Sequence, residues 1–286
     1  MKVLSIPEFH YWIGWRSASV HPGYHRSLHT GGGHEFQGYQ VLQQAANARH
    51  LDLRASLKDP QGQYQVRCFR QSSAITVYLL ADVSTSMLHP AKFDTLTRFA
   101  SSLAWSVFRT GDTFGLLAAD AIIRLELCQP PGHPYGDLDA WSTRASQPQV
   151  TGHSARGLAD LAPHTPHQRS LVFLASDFHG PLSDITHLCQ ALARHDVVPV
   201  VIWEPPLHDS VADYRLACWQ EPESGERRRY WMRPALKARF QAAYRERRHQ
   251  LTDLFLAWGR TPLFLSGAFE ADHVTAYFHQ GVASTS

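Results

Sequence analysis

The stretch that decides the fold is Ala74–Met87, with the sequence AITVYLLADVSTSM. It opens with a nearly continuous apolar run, rich in β-branched side chains, that ends at Asp82. Such a run is typical of a central strand in a parallel sheet, because helices cover both faces of that strand. The sequence therefore predicts a buried strand that leads directly into a polar loop.

Helical and strand-like patterns alternate after this strand. Strand patterns occupy residues 113–119, 122–127, 170–175, 197–203 and 262–265, and a break rich in proline and glycine occupies 130–136. Helical patterns occupy residues 91–109, 182–194, 234–258 and 270–278, with a further short helix beginning near Ser154. Alternation at this spacing implies βαβ units, so we expect an α/β fold with a doubly wound, mostly parallel sheet.

The chain divides by composition into three parts. Residues 1–72 are rich in Gly, Gln, His and aromatic residues, and we expect a strand-poor N-terminal extension there. Residues 73–205 and 261–282 are predicted to form the α/β core. Between them, residues 206–260 are predicted to form an insertion made of a hairpin and a long helix.

Composition narrows the class of protein. The 286 residues are 44% hydrophobic and 18% charged, with a net charge of +2. A nearly neutral chain gives no reason to expect nucleic acid as a partner. The widely spaced cysteines form no Cys-x-x-Cys pair, and neither a signal peptide nor a membrane span is evident, so we expect the cytoplasm.

Oxygen side chains cluster where the predicted strands end. Asp82, Ser84 and Ser86 share one tight loop, and Asp177 follows the buried strand at 170–175. Loops at the carboxyl ends of parallel strands meet at one edge of the sheet, and carboxylate and hydroxyl oxygens suit a hard cation such as Mg²⁺ or Mn²⁺. The simpler alternative is that the Ser and Asp side chains only cap the next helix.

These segments resemble the metal-ion-dependent adhesion site of von Willebrand factor A domains. Asp82, Ser84 and Ser86 match the first loop of that site, and Asp177 matches the last. The family has threonine in the middle loop, where either Ser154 or Thr151 stands here. The resemblance implies that these side chains hold one divalent cation.

A second resemblance covers nearly the whole chain from about Pro22. It rests on the segments Gly33–Phe36, Arg49–Leu53, Val66–Arg70, Arg194–Val197 and Phe264–Ser266, with Tyr277 and Phe278. These segments are similar to a bacterial family called domain of unknown function 58, whose genes typically accompany MoxR-type AAA+ ATPases. The sequence departs from that family at Ala46-Asn47 and at Leu51–Leu53. The resemblance implies an adaptor or co-chaperone whose partner is the ATPase or its client.

The sequence thus predicts a non-enzymatic, metal-dependent protein-binding module. Loop hydroxyls leave a bound cation most of its charge, which favours an acidic ligand from the partner. The alternative is a metal-dependent hydrolase acting on a phosphoryl or acyl substrate. The sequence disfavours the alternative, because Ser84 stands where an aspartyl phosphotransferase needs a second acid and no Gly-x-Ser-x-Gly motif is present.

Three histidines lie near the predicted loops, namely His89, His153 and His179. They could line the metal site, but solvated imidazoles are the simpler interpretation.

Overall fold

A computed structural model of the chain describes residues 6–17, 19, 21–31, 35–44, 48–132, 138–146, 156–204, 214–220 and 227–283. Two compact units divide the chain. One unit comprises Trp12–Ile75 and Arg109–Asp112. The other comprises Met1–Tyr11, Thr76–Phe108 and Thr113–Ser286.

The smaller unit is built around an antiparallel sheet. Its elements are β1 (Pro22–Gly31), β2 (Glu35–Val41), β3 (Leu51–Asp52), α1 (Leu53–Lys58) and β4 (Gln65–Ser73), with 3₁₀ turns at Leu42–Gln44 and Ala48–His50. Strand β4 pairs with β1, β2 and β3. The expectation of a strand-poor extension is wrong. These strands have no long apolar runs, so the local sequence does not indicate them. Their preference for the β conformation depends on cross-strand neighbours that are distant in the sequence.

The described part of the larger unit contains a six-stranded sheet and a separate hairpin. Its strands are β5 (Thr76–Asp82), β6 (Thr113–Ala119), β7 (Gln129–Gly132), β8 (Leu171–Ser176), β9 (Asp196–Trp203), β10 (Leu216–Gln220), β11 (Arg227–Trp231) and β12 (Leu263–Ser266). The sheet order is β12-β9-β8-β5-β6-β7, and only β7 runs antiparallel to its neighbour. The predicted mostly parallel α/β sheet is confirmed.

Helices cover both faces of this sheet. They are α2 (Pro90–Arg109), α3 (Leu138–Ala145), α4 (Gly157–Asp160), α5 (Leu182–Ala191), α6 (Pro234–Ala257) and α7 (Ala271–Ala283), with 3₁₀ turns at Leu125–Leu127 and Ala162–His164. Successive side chains of β8 point to opposite faces. Phe173 packs against Phe99 of α2 and Phe278 of α7, whereas Leu174 joins a cluster that includes Leu188 of α5 and Phe255 of α6. The sheet is therefore doubly wound.

The predicted strand at 122–127 is wrong. Asp120 instead closes a tight turn, in which its carboxylate accepts a hydrogen bond from the amide of Ile122 and pairs with Arg124. The chain then enters the 3₁₀ turn and forms β7, within the segment where proline and glycine predicted a break. An edge strand tolerates prolines, because one side of its backbone needs no partner. Helix α3 was not predicted.

The elements of the predicted insertion are present. Strands β10 and β11 form an antiparallel hairpin, α6 follows, and β12 pairs in parallel with β9. Leu251 and Phe255 of α6 are buried in the core. Across the described ranges, no helix combines the length and apolarity needed to cross a bilayer.

Candidate metal site

The candidate site lies at the carboxyl ends of β5 and β8, which are neighbours in the sheet. Connections from the two strands leave in different directions, since β6 lies on one side of β5 and β8 on the other. A crevice forms at such a switch point in α/β sheets, and ligands bind there. Asp82 ends β5, Ser176 ends β8, and Asp177 follows directly.

The carboxylate of Asp82 is fully buried and held on both oxygens. Oδ1 accepts a hydrogen bond from the Ser84 amide at 2.9 Å, and Oδ2 accepts one from the Ser176 hydroxyl at 2.6 Å. Ser176 Oγ also accepts from the amide of Phe178 at 3.1 Å. These bonds connect the loops that follow β5 and β8 and fix the orientation of the carboxylate.

The two serine hydroxyls of the first loop converge. Ser84 Oγ lies 3.2 Å from Ser86 Oγ, and both side chains are buried. A turn produces this arrangement, because the Ser84 carbonyl accepts hydrogen bonds from the amides of Met87 and Leu88. Thr85 Oγ1, between the two serines, is buried without a hydrogen-bond partner among the described residues.

Asp177 is tied to three parts of the larger unit. Its Oδ2 accepts a hydrogen bond from Lys92 Nζ at 2.7 Å, and its Oδ1 accepts one from the His179 amide at 3.3 Å. Its carbonyl accepts a hydrogen bond from Trp203 Nε1 at 2.7 Å. The position of the carboxylate therefore depends on α2 and β9 as well as on its own loop.

The two carboxylates have opposite pKa shifts. Burial and the negative charge of Asp177 raise the pKa of Asp82 to about 6. Burial also acts to raise the pKa of Asp177, but His179, Lys92 and a hydrogen bond from Ser86 outweigh it and lower that pKa. The Lys92 ammonium neutralises Asp177, whereas the amide and hydroxyl donors that hold Asp82 are uncharged.

The loop after Asp177 has a strained backbone and is held by hydrogen bonds from another helix. Phe178 has a φ of 49°, in the left-handed region that non-glycine residues rarely adopt. Arg247 of α6 donates hydrogen bonds to the carbonyls of Phe178, at 2.6 Å, and Gly180. His179 stacks on Trp203, with the ring planes 2° apart. Helix α6 therefore helps to hold this loop in shape.

Replacing Arg247 by methionine is expected to loosen this loop without unfolding the core. Hydrogen bonds from a charged donor contribute about 1.5–3 kcal/mol, so the loss should increase the population of the open loop by about tenfold or more. Hydrogen exchange at the amides of Phe178 and His179 measures that opening. Arg245→Met on the same helix is the control, because Arg245 is exposed and bonds only within α6 among the contacts described. Equal exchange in the two variants would contradict the pinning role.

A cavity of about 550 Å³ opens beside the oxygen cluster. Its polar end contains Ser84, Ser86 and Asp177, and its wall includes the apolar side chains of Leu158 and Leu188. The cluster is thus reachable from outside although each of its oxygens is largely buried. A ligand that enters the cavity meets the serine hydroxyls and the Asp177 carboxylate together.

The structure brings together Asp82, Ser84, Ser86 and Asp177. Ser154 and Thr151, the two candidates for the middle loop, lie outside the described residues, as does His153. Of the other histidines, His89 pairs with Glu204 and His179 stacks on Trp203. The sequence prediction missed Ser176 and Lys92. Ser176 could have been found as the strand residue before Asp177, but no local pattern in α2 singles out Lys92.

The donor set fits a hard divalent cation. The described residues contain no group of three or more His, Cys, Asp or Glu side chains arranged for a metal. The cluster instead combines two carboxylates with hydroxyls, which are the oxygen ligands that Mg²⁺ and Mn²⁺ prefer. The repulsion between the neighbouring Asp82 and Asp177 carboxylates also favours a cation. Asp82, Ser84 and Ser86 are therefore the residues that would hold it, with Asp177 beside them.

Residues 42–250 match the family described as "Protein of unknown function DUF58". The chain belongs to this family. The match spans most of both compact units, including β5, β8 and the oxygen cluster. No curated protein shows significant similarity to this DUF58 chain.

Solved structures offer only distant similarity to this DUF58 protein. An aerotolerance-related membrane protein from Bacteroides fragilis is 11% identical, with a TM-score of 0.43 over 74% of this chain and 100% of its own. BatB from Bacteroides thetaiotaomicron is 12% identical, with a TM-score of 0.40 over 74% and 98%. A von Willebrand factor type A protein from Catenulispora acidiphila is 13% identical, with a TM-score of 0.38 over 76% and 43%. Scores this low say nothing about function.

Proposed function

We propose that this DUF58 protein is a metal-dependent protein-binding module. It acts as an adaptor or co-chaperone with a MoxR-type AAA+ ATPase, or binds that ATPase's client. The convergence of Asp82, Ser84, Ser86 and Asp177, of which the last three line an open cavity, carries the proposal. The ATPase as partner rests on the gene association typical of the family, and the cytoplasm is the compartment that the cysteine pattern predicts.

The residues that would hold the cation supply two kinds of oxygen ligand, carboxylate and hydroxyl. Asp82 supplies the fixed carboxylate, because Ser84 and Ser176 lock its orientation. The hydroxyls of Ser84 and Ser86 supply neutral oxygens, and Ser154 or Thr151 is the candidate for a further one. Bound Mg²⁺ or Mn²⁺ would supply an open coordination position for an Asp or Glu carboxylate of the partner.

A binding role is favoured over a hydrolytic one. The Ser84 hydroxyl contacts the Ser86 hydroxyl and hydrogen-bonds the Asp82 carboxylate, and Ser84 stands where an aspartyl phosphotransferase would need a second acid. Lys92, whose ammonium is buried at the site, is engaged with Asp177. Phosphatase or esterase activity that depends on added magnesium and disappears in Asp82→Asn would favour the hydrolase instead.

The proposal predicts that partner recovery depends on the metal and on both serines. In a pull-down against a MoxR-type ATPase, the proposed partner, we expect recovery with magnesium to fall at least tenfold with chelator. The variant Ser84→Ala/Ser86→Ala should fall equally, since a loss of about 1.4 kcal/mol or more in binding is tenfold.

The control variant is Ser146→Ala, which removes an exposed hydroxyl after α3. It should bind like the unmodified protein. The double variant removes hydroxyls from a loop, so β5 and the fold should persist, as circular dichroism and thermal melting can verify. Equal recovery with magnesium, with chelator and with the double variant would refute a metal-bridged contact.

A further inference from the structure

Lys92 is an unusual residue for the place it occupies. It lies in the first turn of α2, and its side chain is only 10% exposed. Lysine is almost never buried unless it is paired, because its ammonium loses hydration. The pairing group here is Asp177, whose Oδ2 lies 2.7 Å from Lys92 Nζ. The ammonium is therefore held against Asp177 rather than in solvent.

This contact changes what Asp177 can offer to another cation. One of its oxygens accepts from the ammonium and the other from the His179 amide. A divalent cation beside Asp82 and Ser86 would share Asp177 with a fixed positive charge. Repulsion between the two cations is weakly screened at a buried site, so the lysine must weaken metal binding relative to an uncharged residue.

The same contact also explains how the buried carboxylates coexist before a cation binds. Asp82 and Asp177 are both almost fully buried, and two like charges in such a place repel each other strongly. The ammonium offsets one of the two charges. The loop after β8 can therefore keep its shape while no divalent cation is present.

We propose that Lys92 is a built-in counter-ion that sets the affinity of this site for divalent cations. The inference rests on the proposed metal-dependent function and concerns the regulation of that site. Lys92 lowers the affinity, so that occupancy follows the concentration of free magnesium rather than being permanent. Lys92 is a positioning residue in this role, since it acts through Asp177 and does not itself ligate the cation.

Two variants separate the charge of Lys92 from its hydrogen bond. Lys92→Gln keeps a donor group toward Asp177 but removes the charge, and Lys92→Met removes both. Lys92→Arg keeps a positive charge at the site. Lys58→Met, on the exposed α1 helix of the smaller unit, removes one positive charge elsewhere and controls for net charge.

The experiment is a titration of each full-length variant with Mn²⁺, followed by electron paramagnetic resonance of the free ion and by calorimetry. We expect Lys92→Gln and Lys92→Met to bind at least about tenfold more tightly than the unmodified protein. Lys92→Arg and Lys58→Met should stay within about threefold of it. Circular dichroism before the titration shows whether each variant is folded. If Lys92→Met does not fold, Lys92→Gln still measures the effect of removing the charge.

The outcomes distinguish this inference from the proposed function. Tighter binding by the uncharged variants supports the counter-ion role. Equal affinity in the unmodified protein, Lys92→Gln and Lys92→Met overturns that role and leaves metal-dependent binding standing. Binding by the uncharged variants alone supports the role of Lys92 but contradicts metal dependence of the natural protein. Absence of binding in every variant overturns both.

Discussion

Replacing Phe173 by alanine is expected to lower the free energy of unfolding by about 3–5 kcal/mol, the usual cost of removing a large buried aromatic side chain. Phe173 is fully buried in β8 and meets the rings of Phe9, Phe99 and Phe278 at 6.3, 5.7 and 6.0 Å. These three rings come from the N-terminal segment, α2 and α7. Truncation therefore leaves a cavity where three separate segments meet, and no single one can collapse to fill it.

Chemical denaturation of the unmodified and substituted proteins measures this loss. The control is Phe108→Ala, because Phe108 is 44% exposed at the end of α2 and stacks on Trp105. Its truncation should cost about 1 kcal/mol or less, since little apolar area returns to water. A similar loss in both variants would mean that the Phe173 cluster does not organise the core.

The fold could be predicted best where a segment carries its own pattern. The runs that became β5 and β9 are continuous and apolar because helices cover both faces of the sheet, so the sequence alone indicates buried parallel strands. The segment after β6 carried no such pattern. Its Ile and Leu residues suggested a strand, but the turn is decided by the Asp120 side chain and its bond to Arg124. The antiparallel sheet of the smaller unit was missed for a related reason, since its pairing partners lie far apart in the chain.

In the candidate site, too, the residues that share a local pattern could be predicted, and those that depend on distant contacts could not. Asp82, Ser84 and Ser86 were found because one short loop holds all three, and Asp177 because it follows a buried strand. Lys92 escaped notice because its relation to Asp177 joins residues 85 positions apart. A lysine in the first turn of a helix is ordinarily solvated, and only the packing of α2 against the strand ends buries this one. The chemistry of a site can thus be read locally, whereas its electrostatic balance depends on the tertiary fold.

The ionised carboxylate of Asp82 is needed for the proposed metal binding but lowers the stability of the metal-free fold. The pKa of Asp82 is raised from 3.8 to about 6, first by burial and then by Asp177. In a metal-free protein, the unfolded chain therefore loses this proton at lower pH than the folded chain does. The contribution of Asp82 to stability is therefore greatest below pH 4, decreases between pH 4 and 6, and above pH 6 is less favourable by about 3 kcal/mol. Ionised Asp82 thus destabilises the metal-free protein, although the proposed function requires it.

Asp82→Asn is consequently expected to stabilise the metal-free protein by up to about 3 kcal/mol at pH 8, and by almost nothing at pH 4. Urea denaturation in chelator across this pH range measures the difference. Asp184→Asn is the control, because Asp184 forms a partly exposed pair with Arg156 and should change stability by about 0.5 kcal/mol or less at either pH. The same Asp82→Asn protein should lose magnesium-dependent partner recovery. A gain in stability together with a loss of binding is the combination expected of a buried carboxylate kept for a cation. If Asp82→Asn is instead less stable at pH 8, its carboxylate serves the fold and not a ligand.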